Sequence, residues 1–183
     1  MIRLIAAALA LVAGLSFAQA QTPAQDPQNT VVLTTKDGRI VIRLRPDLAP
    51  KHVEQIKTLT KRKFYDGIVF HRVIDGFMAQ TGDPKGNGTG GSDLPNIPAE
   101  FSTTPFKRGT LGMARSQSPN SANSQFFITF ADASFLNGQY TVFGEVVQGM
   151  DIVDKIKKGD KAANGTVTAP DKIVSMRLLA DAN

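Results

Sequence analysis

Cysteine is absent from the sequence, and histidine occurs only twice, as His52 and His71. The first absence excludes disulfides, thiol nucleophiles and lipid attachment through an N-terminal cysteine, although an exported protein could have carried disulfides. Two histidines without cysteine also make a poor ligand set for zinc, which draws mainly on Cys and His. No metal is expected. Long apolar runs are equally scarce. Leu4–Phe17 is the one candidate, and it is shorter than the ~20 residues a spanning helix needs. It follows the positive Arg3 and leads into Ala18-Gln19-Ala20, a small-x-small cleavage pattern. Those three parts together are the mark of a secretory signal peptide. Residues 1–20 are therefore expected to be removed, leaving a mature chain in the periplasm or outside the cell, with no membrane anchor. Residues 21–29 read as a flexible polar tail, and one domain is expected over 30–183.

Strong charge of either sign is missing too. The net charge is +5 and falls to +4 when Arg3 leaves with the leader. Nucleic-acid binding would want clustered Lys and Arg interleaved with aromatics. The one basic run, Lys61-Arg62-Lys63, falls at a predicted helix end, where cations suit the helix dipole. No nucleic acid partner is expected, and a monomer is the expected state.

What is present is a dense series of strand signals. Val31–Thr35 and Arg39–Leu44 flank Lys36-Asp37-Gly38, and Asp-Gly favours a tight hairpin because such turns need positive φ. In the second of these strands Ile40, Ile42 and Leu44 share a face, opposite Arg39, Val41 and Arg43. Further strands are predicted over Ile68–Ile74, Phe77–Thr81, Thr110–Ala114, Gln125–Phe130, Thr141–Val147 and Lys172–Leu179. In the last, Val174, Met176 and Leu178 would share a face. Helices are predicted over Ala49–Arg62, with Pro50 in the first turn and Val53, Ile56 and Leu59 inward, and over Met150–Lys158, with Ile152, Val153 and Ile156 inward. Eight short strands with few intervening helices fit an antiparallel barrel or a sandwich. If a barrel, its interior would be filled by side chains, and a site would lie on an outer face or rim.

Three segments exceed what a fold alone requires. They are Phe70-His71-Arg72-Val73-Ile74-Asp75-Gly76-Phe77-Met78-Ala79-Gln80-Thr81-Gly82-Asp83, then Gly109–Arg115 with Asn123–Ile128, then Phe135–Gly144. In order and spacing these resemble the cyclophilin family of peptidyl-prolyl isomerases, and the resemblance runs from about Val31 to Leu179. It implies a closed eight-stranded antiparallel β-barrel capped by two α-helices. It also implies turnover of Xaa-Pro bonds in proline-containing peptides and unfolded chains, without cofactor or covalent intermediate. By the same resemblance Arg72 is the catalytic donor and Gln80 orients it. Phe77, Met78, Phe127 and Leu136 line the proline seat. Gln125 and the backbone of Ala114 and Arg115 hold the peptide, and Gly88 approaches it closely. The family usually has Asn where Arg115 stands, so only the backbone role carries over there. It often has Trp and His where this chain has Phe135 and Tyr140, and weakened cyclosporin binding is expected.

The residues alone leave other readings open. Arg72 could be a solvated outward side chain, and each apolar seat residue could be core. His71 lacks a Gly-x-Ser-x-Gly partner for hydrolase chemistry, so packing and hydrogen bonding at the site rim are expected of it. Gly86–Gly91 is glycine-rich but has no following Lys-Ser/Thr and no following helix, which excludes a phosphate cradle. A module that holds proline segments without turnover, and a barrel enclosing a small ligand, are the competing functions.

Overall fold

The computed structural model describes residues 25–181. The expected signal peptide and the first part of the expected tail, 21–24, lie outside the described residues. Of the remaining tail, Pro27–Asn29 form a single 3-10 turn capped by the Asp26 carboxylate, which accepts the Gln28 N–H.

Eight strands follow: β1 (Thr30–Thr35), β2 (Gly38–Leu44), β3 (Arg72–Ile74), β4 (Met78–Thr81), β5 (Thr110–Met113), β6 (Phe126–Thr129), β7 (Val142–Gln148) and β8 (Ser175–Leu178). The two helices are α1 (Pro50–Lys61) and α2 (Met150–Lys155). All ladders are antiparallel, in the order β3-β4-β6-β5-β7-β2-β1-β8. The sheet therefore has two ends and is an open half-barrel, which corrects the expected closed barrel. The reason lies before β3. Ile68–Phe70, predicted as strand, meets the segment 171–173 through scattered bonds (Gly67 N–H to Ile173 O, Ile173 N–H to Ile68 O, Phe70 N–H to Asp171 O) and one isolated bridge, Val69 to Lys172. Those contacts bridge the seam but form no continuous ladder.

Strand alternation decides what lies inside. Ile40, Ile42 and Leu44 of β2, Leu111 and Met113 of β5, Ala79 of β4, and Phe126 and Ile128 of β6 all enter one large buried cluster with Leu33 and Phe143. They fill the interior, and this sets aside the small-ligand barrel. The intervening residues, Met78 and Phe127, enter a second, smaller cluster on the other face with Phe106, Leu136 and Val142. The site is built on this second face. Val174 departs from its expected inward face and is exposed. The chain bends there, so Ile173 goes inward before Met176 and Leu178 resume the strand.

Helix α1 carries Pro50 in its first turn as predicted, with the predicted end residues Ala49 and Arg62 as its caps, but Ala49 offers no side-chain cap. Glu100 supplies one from a distant loop, its carboxylate accepting the N–H groups of Lys51 and His52. Val53, Ile56 and Leu59 are buried. Helix α2 stops at Lys155, earlier than predicted, because Lys157 N–H is drawn to the Asp171 carboxylate and Gly159 N–H to Val73 O.

Candidate functional site

Two neighbouring hollows open on the outer face. The more apolar one, about 410 Å³, is lined by Arg72, Phe77, Met78, Gln80, Phe127, Leu136 and their neighbours Ala114, Arg115, Phe135, Gln139 and Tyr140. The second, about 500 Å³, is polar and shares Gln80, Ala114 and Arg115 with the first, adding the loop Gly88–Ser92, Asn123 and Gln125. Every expected site residue lines one of these hollows except His71.

The floor of the apolar hollow follows from β6. Phe127 points outward by alternation, and its ring stacks on Phe106 at 5.7 Å and meets Tyr140 edge-on at 5.9 Å. Opposite Phe127 in the ladder stands Gly112. A Cβ there would come closer than 3.0 Å to both the Phe127 and Phe106 rings, so only glycine lets the two rings pack against the strand. Phe135 closes one side as an exposed flap, its ring 5.2 Å from that of Phe77.

Arg72 rises from β3 beside this apolar floor. Its Nε and Nη2 donate to the Asn164 backbone and side-chain oxygens, both at 3.0 Å, and its Nη1 donates to Gln80 Oε1 at 3.2 Å. A guanidinium has five N–H donors, so these bonds leave two unspent. Burial pulls the guanidinium pKa down, yet an arginine side chain is so strong a base that it stays cationic. Gln80 then donates to Gln125 Oε1 at 2.9 Å, and Gln125 donates to the carbonyls of Gly88 and Gly90. One polar chain thus runs from Asn164 through Arg72, Gln80 and Gln125 into the glycine loop. Each amide is oriented by its neighbour, which meets the need of half-buried polar groups for partners.

The loop itself is organised by Asp83. Its carboxylate accepts the N–H groups of Lys85, Asn87 and Gly88. Burial pushes Asp83 upward, but these backbone donors outweigh it and hold the carboxyl below its ordinary value. A Cβ on Gly90 would collide with the same carboxylate.

His71 lies beneath this loop rather than in either hollow. Both its ring nitrogens are buried without a hydrogen-bond partner. Burial lowers its pKa, and the Asp83 charge only partly opposes that. The ring packs as a neutral spacer under Gly88, and the hydrogen bonding expected of it at the rim is not made.

Sequence reasoning missed Asn164, Phe106 and Gln139. Asn164 sits in a turn with positive φ next to Gly165, and an Asn-Gly pair does signal a turn. Nothing in that signal says that the turn faces an arginine 92 positions away.

Comparison with known proteins agrees with this geometry. Residues 30–178 match the family described as Cyclophilin type peptidyl-prolyl cis-trans isomerase/CLD. A Brucella suis protein named "Probable peptidyl-prolyl cis-trans isomerase" is 62% identical over 192 residues, spanning 98% of this chain and 97% of its own. Among solved structures, a cyclophilin from Hirschia baltica aligns with a TM-score of 0.77 at 27% identity, covering 86% of this chain and 76% of that one. A Cryptosporidium parvum cyclophilin type isomerase, crystallised in the presence of the dipeptide Ala-Pro, aligns with a TM-score of 0.74 at 29% identity, covering 81% and 98%.

Proposed function

This chain belongs to the cyclophilin-type peptidyl-prolyl cis-trans isomerases, and from that premise we propose that Arg72 turns the Xaa-Pro bond by stabilising its twisted amide. The observation that carries this is a guanidinium fixed by Asn164 and Gln80 with donors to spare, beside an apolar hollow. A peptide bond resists rotation by ~20 kcal/mol because resonance holds it planar. Twisting removes that resonance and leaves the proline nitrogen with a localised lone pair. A donor placed there binds the twisted form far better than the planar one, which is what lowers a barrier. The Phe77, Met78, Phe127 and Leu136 side chains, which line the apolar hollow, seat the pyrrolidine ring; the Cryptosporidium parvum relative was crystallised in the presence of a proline dipeptide, Ala-Pro. No nucleophile takes part.

The proposed substrates are unfolded and newly exported chains, where proline isomerisation takes tens of seconds and limits folding. Catalytic amounts of the protein should remove the slow refolding phase of a client limited by proline. A short peptide turned over while that slow phase persists would contradict this choice of substrate. Export is proposed on the three-part pattern of residues 1–20. Mass spectrometry of the protein recovered outside the cytoplasm should then find an N-terminus near Gln21, and an intact Met1 would contradict it. Cyclosporin binding is proposed to be weak. Phe135 is exposed and offers no N–H donor. Phe135→Trp should tighten binding by titration, and an unchanged affinity would show that the indole is not the determinant.

A further inference from the structure

We infer that this groove selects its substrates by charge, favouring an acidic side chain within two residues of the proline, and that Arg115 is the residue that selects it. The inference rests on the isomerase reading of the same groove. The residues lining the two hollows include two arginines, Arg72 and Arg115, and no Asp or Glu. Neither arginine takes part in any ion pair among the described residues. Of the two acids on the adjoining loop, Asp83 is buried among the N–H groups of its own loop, and Asp93 lines neither hollow and is paired with Arg62.

Arg115 is nevertheless held firmly. Its Nε and Nη2 donate to Gln139 O, its Nη1 donates to Ser116 O and Gln117 O, and its guanidinium lies 4.5 Å from the centre of the Tyr140 ring. Carbonyl oxygens and a ring face fix the orientation of a cation without cancelling its charge. Arg115 also forms the wall common to both hollows. A peptide whose proline fills the apolar hollow must pass this side chain to reach the polar one. A cleft lined by one sign of charge concentrates the opposite sign. The fixed cation therefore attracts a carboxylate at the crossing and repels a lysine there.

The test uses two peptide series, Ala-Xaa-Pro-Phe and Xaa-Ala-Pro-Phe, with Xaa as Glu, Gln or Lys. Both kcat/KM and Kd are measured with the intact protein. In at least one series Glu should exceed Gln by about fivefold and Gln should exceed Lys by a similar factor, the size of one partly exposed charge interaction. The order should fade between about 0.02 M and 0.5 M salt, where screening shortens from tens of ångströms to a few. It should shrink to within about twofold in Arg115→Gln. Equal values for Glu, Gln and Lys in both series at low salt would overturn the inference. A preference that survives intact in a folded Arg115→Gln protein would overturn the assignment to Arg115. If Arg115→Gln does not fold, the salt dependence of the wild-type series still decides the charge preference. Absence of turnover on every peptide would instead defeat the isomerase reading, and the Kd series would still report on charge.

Discussion

Replacing Arg72 by alanine is expected to lower kcat/KM for an Xaa-Pro peptide by about 100- to 1000-fold, equivalent to roughly 3–4 kcal/mol of transition-state stabilisation. The loss falls on turnover because the donor meets a lone pair that exists only in the twisted amide. Peptide affinity should change far less, since the apolar seat of Met78, Phe127 and Leu136 is held by its own packing. The fold should survive as well. Arg72 is only partly buried, and water can replace it at the Asn164 and Gln80 oxygens. Arg72→Lys should recover little. An ammonium is a point charge with three donors, and reproducing the three bonds to Asn164 and Gln80 would leave none for the hollow. Kinetics beside a melting curve for each variant check this. A folded Arg72→Ala protein with near-normal activity would place the catalytic donor elsewhere.

Gly112→Ala is expected to damage the site from below, although Gly112 itself lines neither hollow. The added methyl would sit closer than 3.0 Å to the Phe127 and Phe106 rings. Both rings are buried and stacked on each other, so neither has open space to retreat into except the hollow itself. Overpacking of this kind destabilises by about 1–3 kcal/mol. The displaced Phe127 ring would narrow the seat and weaken peptide binding, by about tenfold. A melting curve and a peptide titration read the two effects. An unchanged melting temperature together with unchanged affinity would contradict the account of Phe127 as a floor set by Gly112.

Much of this was legible in the sequence, and the reasons differ from element to element. The β1–β2 hairpin announces itself because Asp37-Gly38 needs a special turn geometry and the flanking residues alternate. The inward face of α1 follows from the spacing of Val53, Ile56 and Leu59. Periodicity could not distinguish strand from irregular chain at Ile68–Phe70, because apolar residues enter the core from either. It also could not show the bend at Val174, which depends on bonds to Thr34 and Asp66 far away in the chain. The site shows the same division. Its side chains fall within contiguous segments and could be picked out there. Gln80 was expected to orient Arg72, and does; the Asn164 bonds were not expected, because Asn164 reaches Arg72 only through the tertiary fold. Arg115 is the instructive case. Its backbone position was expected, while its side chain acquires meaning only when seen stacked on Tyr140 between two hollows.

The central claim is that Arg72 acts on the twisted amide rather than on binding. The most direct measurement is exchange NMR on an Xaa-Pro peptide bound to the wild-type protein and to Arg72→Ala at matched saturation. It reads cis/trans interconversion on the protein itself, separately from affinity. The account predicts similar Kd values for the two proteins and bound-state interconversion about 100-fold slower or more in the variant. Equal interconversion rates at equal occupancy would contradict it.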